Sequence, residues 1–571
     1  MRKSAQISVL IATLLGMSPG VSLAQQASTV QTPTFRSQSE LVQIPVLVRR
    51  SGKHLAGLNA GDFTVLEDGV IQRIARFEEV STPDQPAQWQ EPAMGTFTND
   101  LWQANGPGRV TILVFDLLNT PFVKQTYLRD SLMRFLDALP ARHDPIMLAA
   151  FTAKGLKIVH FFTTDPAVLR AAVAKMKSHM SEVERSSELA RSKEEATQAA
   201  ISVVESQNGG HAEADDPEVK RLKELFQTVS DQHVQRLDLH RTELTLLMMQ
   251  QLAQSLSGIP GRKSMVWATG GIAYTRGSDS VESPTPGPHK TEGLADTQIA
   301  EGNDLFDSTW RKLSDANIAV YVVDLEELTN PGYTDASFQA SQVQSLRVTR
   351  GYGLRAQAMN GFTDKTGGSY CPLQQNLQNC FTNAMEDSGR YYMLAYYPVK
   401  GKQGWRRLKV RVANPGARVH TRSGYYFRGR EEHHEIREGE VAQALASPLE
   451  ATGIPVSMRW TQPKAGDAVK PEMRWLEIVI DPKAITIESD NQNHFYLSVT
   501  AASRNEKGEY KGELAKKVEG RLHPEDLKTV LAKGFVFRDS IVIPPGEIDV
   551  RFVVRDEISG RIGSVTAKLL Q

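Results

Sequence analysis

Short runs of apolar residues restrict the fold of this chain more than any other feature. The run VTILVFD, residues 110–116, is almost wholly apolar, which is typical of a β-strand buried on both faces. After it, leucine and phenylalanine repeat at helical spacing from Leu128 until Pro140. Similar apolar runs, most of them separated by helical patterns, occupy residues 146–152, 156–162, 264–271, 317–324 and 391–398. This alternation predicts an α/β fold with a doubly wound, mostly parallel, Rossmann-like sheet.

A long charged segment interrupts that pattern. Asp216-Pro217 is a typical helix start, and apolar residues then recur at threes and fours as far as Leu256 without a breaker. At about 1.5 Å per residue, this helix would be roughly 60 Å long. We expect residues 181–206 to form its antiparallel partner, so that residues 178–240 are an inserted helical hairpin. A disordered insertion with a shorter helix is the alternative.

The 571 residues are too many for one hydrophobic core, so several domains are expected. Residues 38–82 alternate as strands do and predict a small β module, and the stretch 83–107, rich in proline, glutamine and glycine, predicts a linker. The α/β domain then spans 108–428 and a charged linker spans 429–450. Short strands with glycine and proline turns over 451–571 predict an immunoglobulin-like β-sandwich.

The N-terminus indicates export. Arg2 and Lys3 precede a short apolar stretch, and Ser22-Leu23-Ala24 has the small-residue pattern of a cleavage site. We therefore expect a signal peptide at 1–24 and a secreted or periplasmic protein, with an uncleaved anchor as the alternative. No later run approaches about 18 consecutive apolar residues, so no membrane span is expected in the mature chain.

The only cysteines are Cys371 and Cys380. In an exported protein, an even pair this close predicts a disulfide. A redox-active or metal-binding pair is the alternative, although the spacing fits neither CxxC nor a zinc pattern.

Charge and motifs exclude several functions. Lys+Arg and Asp+Glu both number 66, so the whole chain offers no electrostatic reason to bind nucleic acid or an anionic membrane, although a local basic patch stays open. The sequence has no GxSxG, phosphate-loop or dinucleotide motif. The segment beginning His434-Glu435 has Glu438 where a zinc protease needs a second histidine. No enzymatic activity is therefore predicted.

The expected sheet predicts where a ligand would bind. Open parallel sheets bind ligands beyond the carboxyl ends of their strands, where the strand order reverses. If the strands ending at Asp116 and Thr269 are neighbours, the loops after them face each other across a crevice. The candidate ligand-binding residues are Asp116, Asn119, Thr120, Thr269, Gly270 and Gly271. A carboxylate and a hydroxyl at this position are ligands that Mg²⁺ accepts.

At these residues the chain resembles a known family. VTILVFDLLNT looks like the first strand of a von Willebrand factor type A domain, whose metal-ion-dependent adhesion motif reads Asp-x-Ser-x-Ser, and GRKSMVWATGG looks like the fourth strand, which ends Thr-Asp-Gly in the family. The resemblance covers roughly residues 105–400 and implies the same doubly wound fold. The segments DFTVLEDG, YYMLAYYP, GWRRLKVRV and RSGYYF resemble an exported bacterial subgroup of the family.

The resemblance implies a degenerate metal site. Asp116 matches the motif aspartate and Thr120 the second hydroxyl, but Leu118 stands in the place of the first serine. Gly270 replaces the second aspartate, and the family's separate threonine ligand would fall near Thr242 or Thr245. We therefore expect no cofactor, with Mg²⁺ held by Asp116 and Thr120 as the alternative.

These observations predict an extracytoplasmic interaction protein that binds a protein partner through the strand-end loops and the helical hairpin. Three alternatives stay open: Mg²⁺-dependent adhesion through Asp116 and Thr120, an envelope enzyme with an unrecognised site, and a structural or assembly component that self-associates through the hairpin.

Overall fold

The computed structural model describes residues 41–81, 93–100, 109–139, 144–176, 217–272, 292–325, 357–372, 377–399, 404–427 and 437–569, the last range with gaps at 465–469, 471, 490–491 and 508. Among the helices of these residues, none is both long and apolar enough to cross a membrane. The predicted signal peptide, the helix predicted over 181–206 and the His434-Glu435 pair lie outside the described residues, as does most of the 83–107 linker.

The described residues contain eight α-helices and five β-sheets. The helices are α1 (Phe122–Ala138), α2 (Pro166–Ala174), α3 (Pro217–Leu256), α4 (Glu292–Asp315), α5 (357–366), α6 (Leu377–Gly389), α7 (Arg437–Ala446) and α8 (Pro524–Lys533). The strands as far as the sixth helix are β1 (Val42–Arg50), β2 (Lys53–His54), β3 (Phe63–Glu67), β4 (Val70–Gln72), β5 (Arg76–Ser81), β6 (Thr96–Thr98), β7 (Val110–Asp116), β8 (Ile146–Thr152), β9 (Gly155–Thr163), β10 (Lys263–Thr269), β11 (Ile318–Asp324) and β12 (Tyr370–Pro372). The later strands are β13 (Arg390–Tyr396), β14 (Gly404–Val412), β15 (Arg418–His420), β16 (Gly424–Phe427), β17 (Val456–Thr461), β18 (Met473–Ile480), β19 (His494–Asn505), β20 (Tyr510–Arg521), β21 (Phe535–Val542), β22 (Glu547–Asp556) and β23 (Ile562–Lys568).

The central sheet has six strands in the order β12-β11-β10-β7-β8-β9. Its first five strands are parallel, and β9 returns antiparallel to β8 because only a tight turn joins the two. Every residue of β7, β10 and β11 is buried, since helices cover both faces of the sheet. On one face α3, α4 and α5 share a core with the sheet, and on the other face α1, α2 and α6 do so.

Two further sheets combine strands from distant parts of the chain. β1 pairs with β2, β13 and β15, and β13 also pairs with β5. β3 pairs with β4 and β14, and β14 with β16. Their shared core contains the Glu67 carboxylate, which accepts hydrogen bonds from Arg406 Nη1 (2.6 Å), Tyr425 Oη (3.0 Å) and Tyr396 Oη. Glu67 therefore ties the two sheets together.

The last two sheets lie mainly in the C-terminal part of the chain. They have the orders β21-β18-β17-β6 and β20-β19-β22-β23, and residues from both form one core. Helix α7 connects this unit to the central sheet, because Glu440 lies 3.4 Å from Lys312 Nζ on α4 and 3.1 Å from Arg555 Nη2 on β22. The strand β6, within the segment predicted as a linker, pairs with β17.

The fold class predicted from the sequence is wrong for the chain. Four of the five sheets in the described residues are wholly antiparallel, so the protein is not a doubly wound, mostly parallel α/β fold. The run YYMLAYYP illustrates the error. We expected it in the parallel sheet, but as β13 it pairs antiparallel with β1 and β5. An apolar run indicates burial on both faces, but it does not indicate which sheet buries it.

The two cysteines are neighbours. Cys371 on β12 and Cys380 on α6 are both buried free thiols, so the predicted disulfide is not formed in this structure. Their hydrogen bond, together with burial, raises the pKa of the Cys371 thiol. The two thiols are hydrogen-bonded neighbours in the reduced form. The disulfide therefore stays a prediction for the oxidised protein.

Candidate functional site

The candidate site is formed where β7 and β10 end side by side. Their parallel register pairs Phe115 with Ala268, which sets Asp116 beside Thr269. The loop after β7 then crosses towards Gly270, whose N–H donates to Thr120 Oγ1 (3.1 Å). The Gly271 N–H donates to Thr269 Oγ1 (2.9 Å). The structure thus brings the residues selected from the sequence into one cluster.

The Asp116 carboxylate is the centre of this cluster. Its Oδ2 accepts hydrogen bonds from Thr269 Oγ1 (2.7 Å) and Trp267 Nε1 (3.1 Å). Asn119 donates its backbone N–H to Oδ1 (3.0 Å) and directs its Nδ2 at both carboxylate oxygens (3.0 and 2.9 Å). Asp116 is only 1% exposed. Burial raises the pKa of this carboxyl group, while the hydrogen bonds oppose that increase.

The Asn119 amide connects the carboxylate to helix α3. Its Nδ2 also lies 2.9 Å from Thr245 Oγ1, and that hydroxyl donates to the Arg241 carbonyl (2.9 Å). The Asn119 Oδ1 accepts a long hydrogen bond from Arg241 Nη1 (3.5 Å). The NH₂ group of Asn119 therefore lies between Asp116 and Thr245, where it donates to the oxygens that a cation would need.

These residues do not fit a divalent cation. Leu118 is buried, its side chain has no oxygen, and its backbone N–H donates to the Phe151 carbonyl (3.0 Å). A Cβ on Gly270 would meet the Asn119 carbonyl oxygen at 2.3 Å, so this backbone has no room for the aspartate that the family has there. The Asp116 oxygens already accept from three neighbouring side chains. The arrangement can hold the two loops together, and we derive no chemistry through Mg²⁺.

The crevice expected between the loops is filled. Asp116, Asn119, Thr120 and Thr269 are each at most 2% exposed, and both glycines are buried. We call the cluster of Asp116, Asn119, Thr120, Thr269 and the two glycines the plug. It is closed to solvent and joins β7, β10 and α3. Sequence reasoning missed Trp267, although it lies two residues before Thr269 on the same face of β10, and it missed Arg241.

Gly270→Ala tests this close packing. The added methyl group would overlap the Asn119 carbonyl, so we expect the free energy of unfolding to fall by about 1–3 kcal/mol. Gly61→Ala is the matched control, because a Cβ there meets no atom within 4 Å. Chemical denaturation of both variants would measure the difference, and equal stabilities would contradict the packing described here.

Exposed apolar side chains follow the plug in the chain. Phe122, Val123 and Tyr127 lie on the first two turns of α1, directly after the buried loop, and Val123 is 77% exposed. On α3, Leu239 is also exposed and lies two residues before Arg241. Residues two apart on a helix do not share a face, so Leu239 points away from Arg241, and only the three side chains on α1 form an exposed group.

Comparison with known proteins identifies no family. No family model and no curated protein matches the sequence. Among solved structures, the chain is similar to an aerotolerance-related membrane protein from Bacteroides fragilis NCTC 9343 with multiple mutations to serines. The identity is 9%, the TM-score is 0.21, and the match covers 49% of this chain and 98% of that chain. A similarity this weak carries no conclusion about the fold or the function.

Proposed function

We propose that this chain is an exported, secreted or periplasmic protein that binds a protein partner without a metal ion. The binding surface would be the first two turns of α1, which expose Phe122, Val123 and Tyr127 and which we call the rim of the plug. One observation carries the proposal: three large apolar side chains are exposed on the first two turns of α1, directly after a loop whose polar groups are hydrogen-bonded inside the protein.

The physical reasons concern solvation. Exposed apolar side chains grouped in one place mark interaction surfaces, whereas single ones do not. Val123 and Tyr127 are four residues apart and therefore lie on the same side of α1. The hydrogen bonds of Asp116 and Asn119 fix the loop before α1 against α3, so the rim would be preorganised, which lowers the entropic cost of binding.

The test is affinity capture from an envelope extract with the mature chain as bait. Val123→Asp with Tyr127→Asp should weaken capture of the main partner at least tenfold, since each change places a charge in an apolar contact; about 1.4 kcal/mol corresponds to tenfold. Leu531→Asp is the matched control, because Leu531 is an equally apolar, exposed residue on α8.

The same experiment separates the alternatives. Capture that is equal with Mg²⁺ and with a chelator supports the metal-free proposal, and capture lost with the chelator supports adhesion through Asp116 and Thr120. If the rim variant and the Leu531 variant bind like the wild type, the rim is not the binding surface.

A further inference from the structure

The neutral charge of the whole chain conceals a basic surface on one sheet. In β14 the alternate residues Arg407, Lys409 and Arg411 are exposed, while the residues between them point into the core. At about 3.4 Å per residue, neighbouring cations lie roughly 7 Å apart along the strand. We call these three residues the basic face. Asp68 is close to it, with its Oδ1 3.8 Å from Arg407 Nε, and both groups are largely exposed.

Apolar side chains continue the basic face to the free edge of the sheet. The register places Lys409, Leu66 and Ile71 in one row across β14, β3 and β4, so their side chains share the outer face. Ile71 is 71% exposed, and β4 is the edge strand.

The edge strand presents its two exposed apolar residues on different faces. Val70 pairs with Glu67, whose side chain is buried in the core, so Val70 lies on the opposite face of the sheet from the cations. Ile71 and its half-buried neighbour Leu66 lie on the same face as Lys409. We call Leu66 and Ile71 the apolar margin.

From this combination we infer that the basic face and the apolar margin form a docking surface for an anionic phospholipid membrane. The flat row of cations complements a plane of lipid phosphates, and the apolar margin complements the boundary with the acyl chains. An acidic polypeptide or a nucleic acid would pair with the cations, but it would leave the apolar margin exposed to water. The inference is independent of the plug and of the protein partner proposed above.

The experiment is co-sedimentation of the mature chain with vesicles of phosphatidylcholine alone, or with one-third phosphatidylglycerol. We expect binding to the anionic vesicles only, and we expect it to weaken at high salt. Because each Lys or Arg near an anionic surface contributes about fivefold, the triple variant Arg407→Gln, Lys409→Gln, Arg411→Gln should bind roughly a hundredfold more weakly. The variant Ile71→Ser should bind about tenfold more weakly, since it removes apolar groups that the acyl-chain boundary would bury.

The control is Lys154→Gln, Lys157→Gln, Lys517→Gln, which removes the same charge from exposed positions elsewhere. Its binding should stay within about threefold of the wild type, because distant charges are screened. The inference is overturned if the wild type binds neither vesicle or both equally, or if the control loses as much affinity as the triple variant. Wild-type binding to poly-glutamate with no binding to vesicles would assign the basic face to an acidic polypeptide instead.

Discussion

Replacing Asp116 with alanine is expected to lower the free energy of unfolding by about 4 kcal/mol, because each buried donor left without an acceptor costs about 1–3 kcal/mol. The substitution removes the acceptor of Thr269 Oγ1, Trp267 Nε1 and the Asn119 amide, all of them inside the protein. It also releases the link from β7 to α3, because Asn119 loses the partner that orients it towards Thr245. Urea denaturation followed by far-UV circular dichroism would measure the change.

Two further variants define what the carboxylate contributes. Asp116→Asn keeps the shape but turns one oxygen into an NH₂ group, which sets a donor against the donors of Trp267 and Asn119. We therefore expect it to be less stable than the wild type and more stable than Asp116→Ala. Asp137→Ala, which removes a largely exposed ion pair with Arg170, should change stability by less than about 1 kcal/mol. If Asp116→Ala is as stable as Asp137→Ala, the plug does not join the strands as we describe.

The ends of the central strands could be predicted because the local pattern was sufficient. The apolar runs of β7 and β10 required burial on both faces, and the structure pairs them in parallel with Ile112 beside Met265. The sheet partners of β13 could not be predicted in this way. Its partners β1 and β5 lie more than 300 residues earlier in the chain, and their own apolar alternation fits several sheets equally well.

The candidate site could be predicted only as a position. The positions of the strand ends predicted that Asp116, Thr120 and Thr269 lie close together. They did not predict that these residues are buried from solvent. That depends on the Asn119 rotamer, which directs Nδ2 at Asp116 and Thr245, and on the carbonyl of the same residue, which excludes any Cβ at position 270. A resemblance between sequences does not specify contacts of this kind.

A buried amine, that of Lys263, lies at the opposite end of β10 and makes the stability of the protein depend on pH. Lys263 is 1% exposed, and its Nζ lies 2.6 Å from the Ile259 carbonyl and 3.0 Å from the Gly261 carbonyl. Both contacts suit a neutral amine, which can still donate two hydrogen bonds. Burial lowers the pKa of Lys263 from 10.5 to about 7. The folded protein therefore binds fewer protons here than the unfolded chain between these two pH values.

The sign of the resulting pH dependence follows from that difference. Stability rises with pH wherever the unfolded state binds more protons, so the cost of burying Lys263 is greatest below pH 7 and disappears as the pH approaches 10.5. At about 1.4 kcal/mol per pKa unit, the free energy of unfolding of the wild type should rise by roughly 3 kcal/mol between about pH 7 and 9.5, through this residue alone. Lys263→Met removes the titrating group but keeps a similar apolar volume. Between the same two pH values, the free energy of unfolding of this variant should therefore rise by about 3 kcal/mol less than that of the wild type. Denaturation of both proteins at the two pH values measures the difference, in which the contributions of all other titrating groups cancel. Parallel pH profiles for the two proteins would show that Lys263 is charged in the folded state, which would require an acidic partner or a water path to its Nζ.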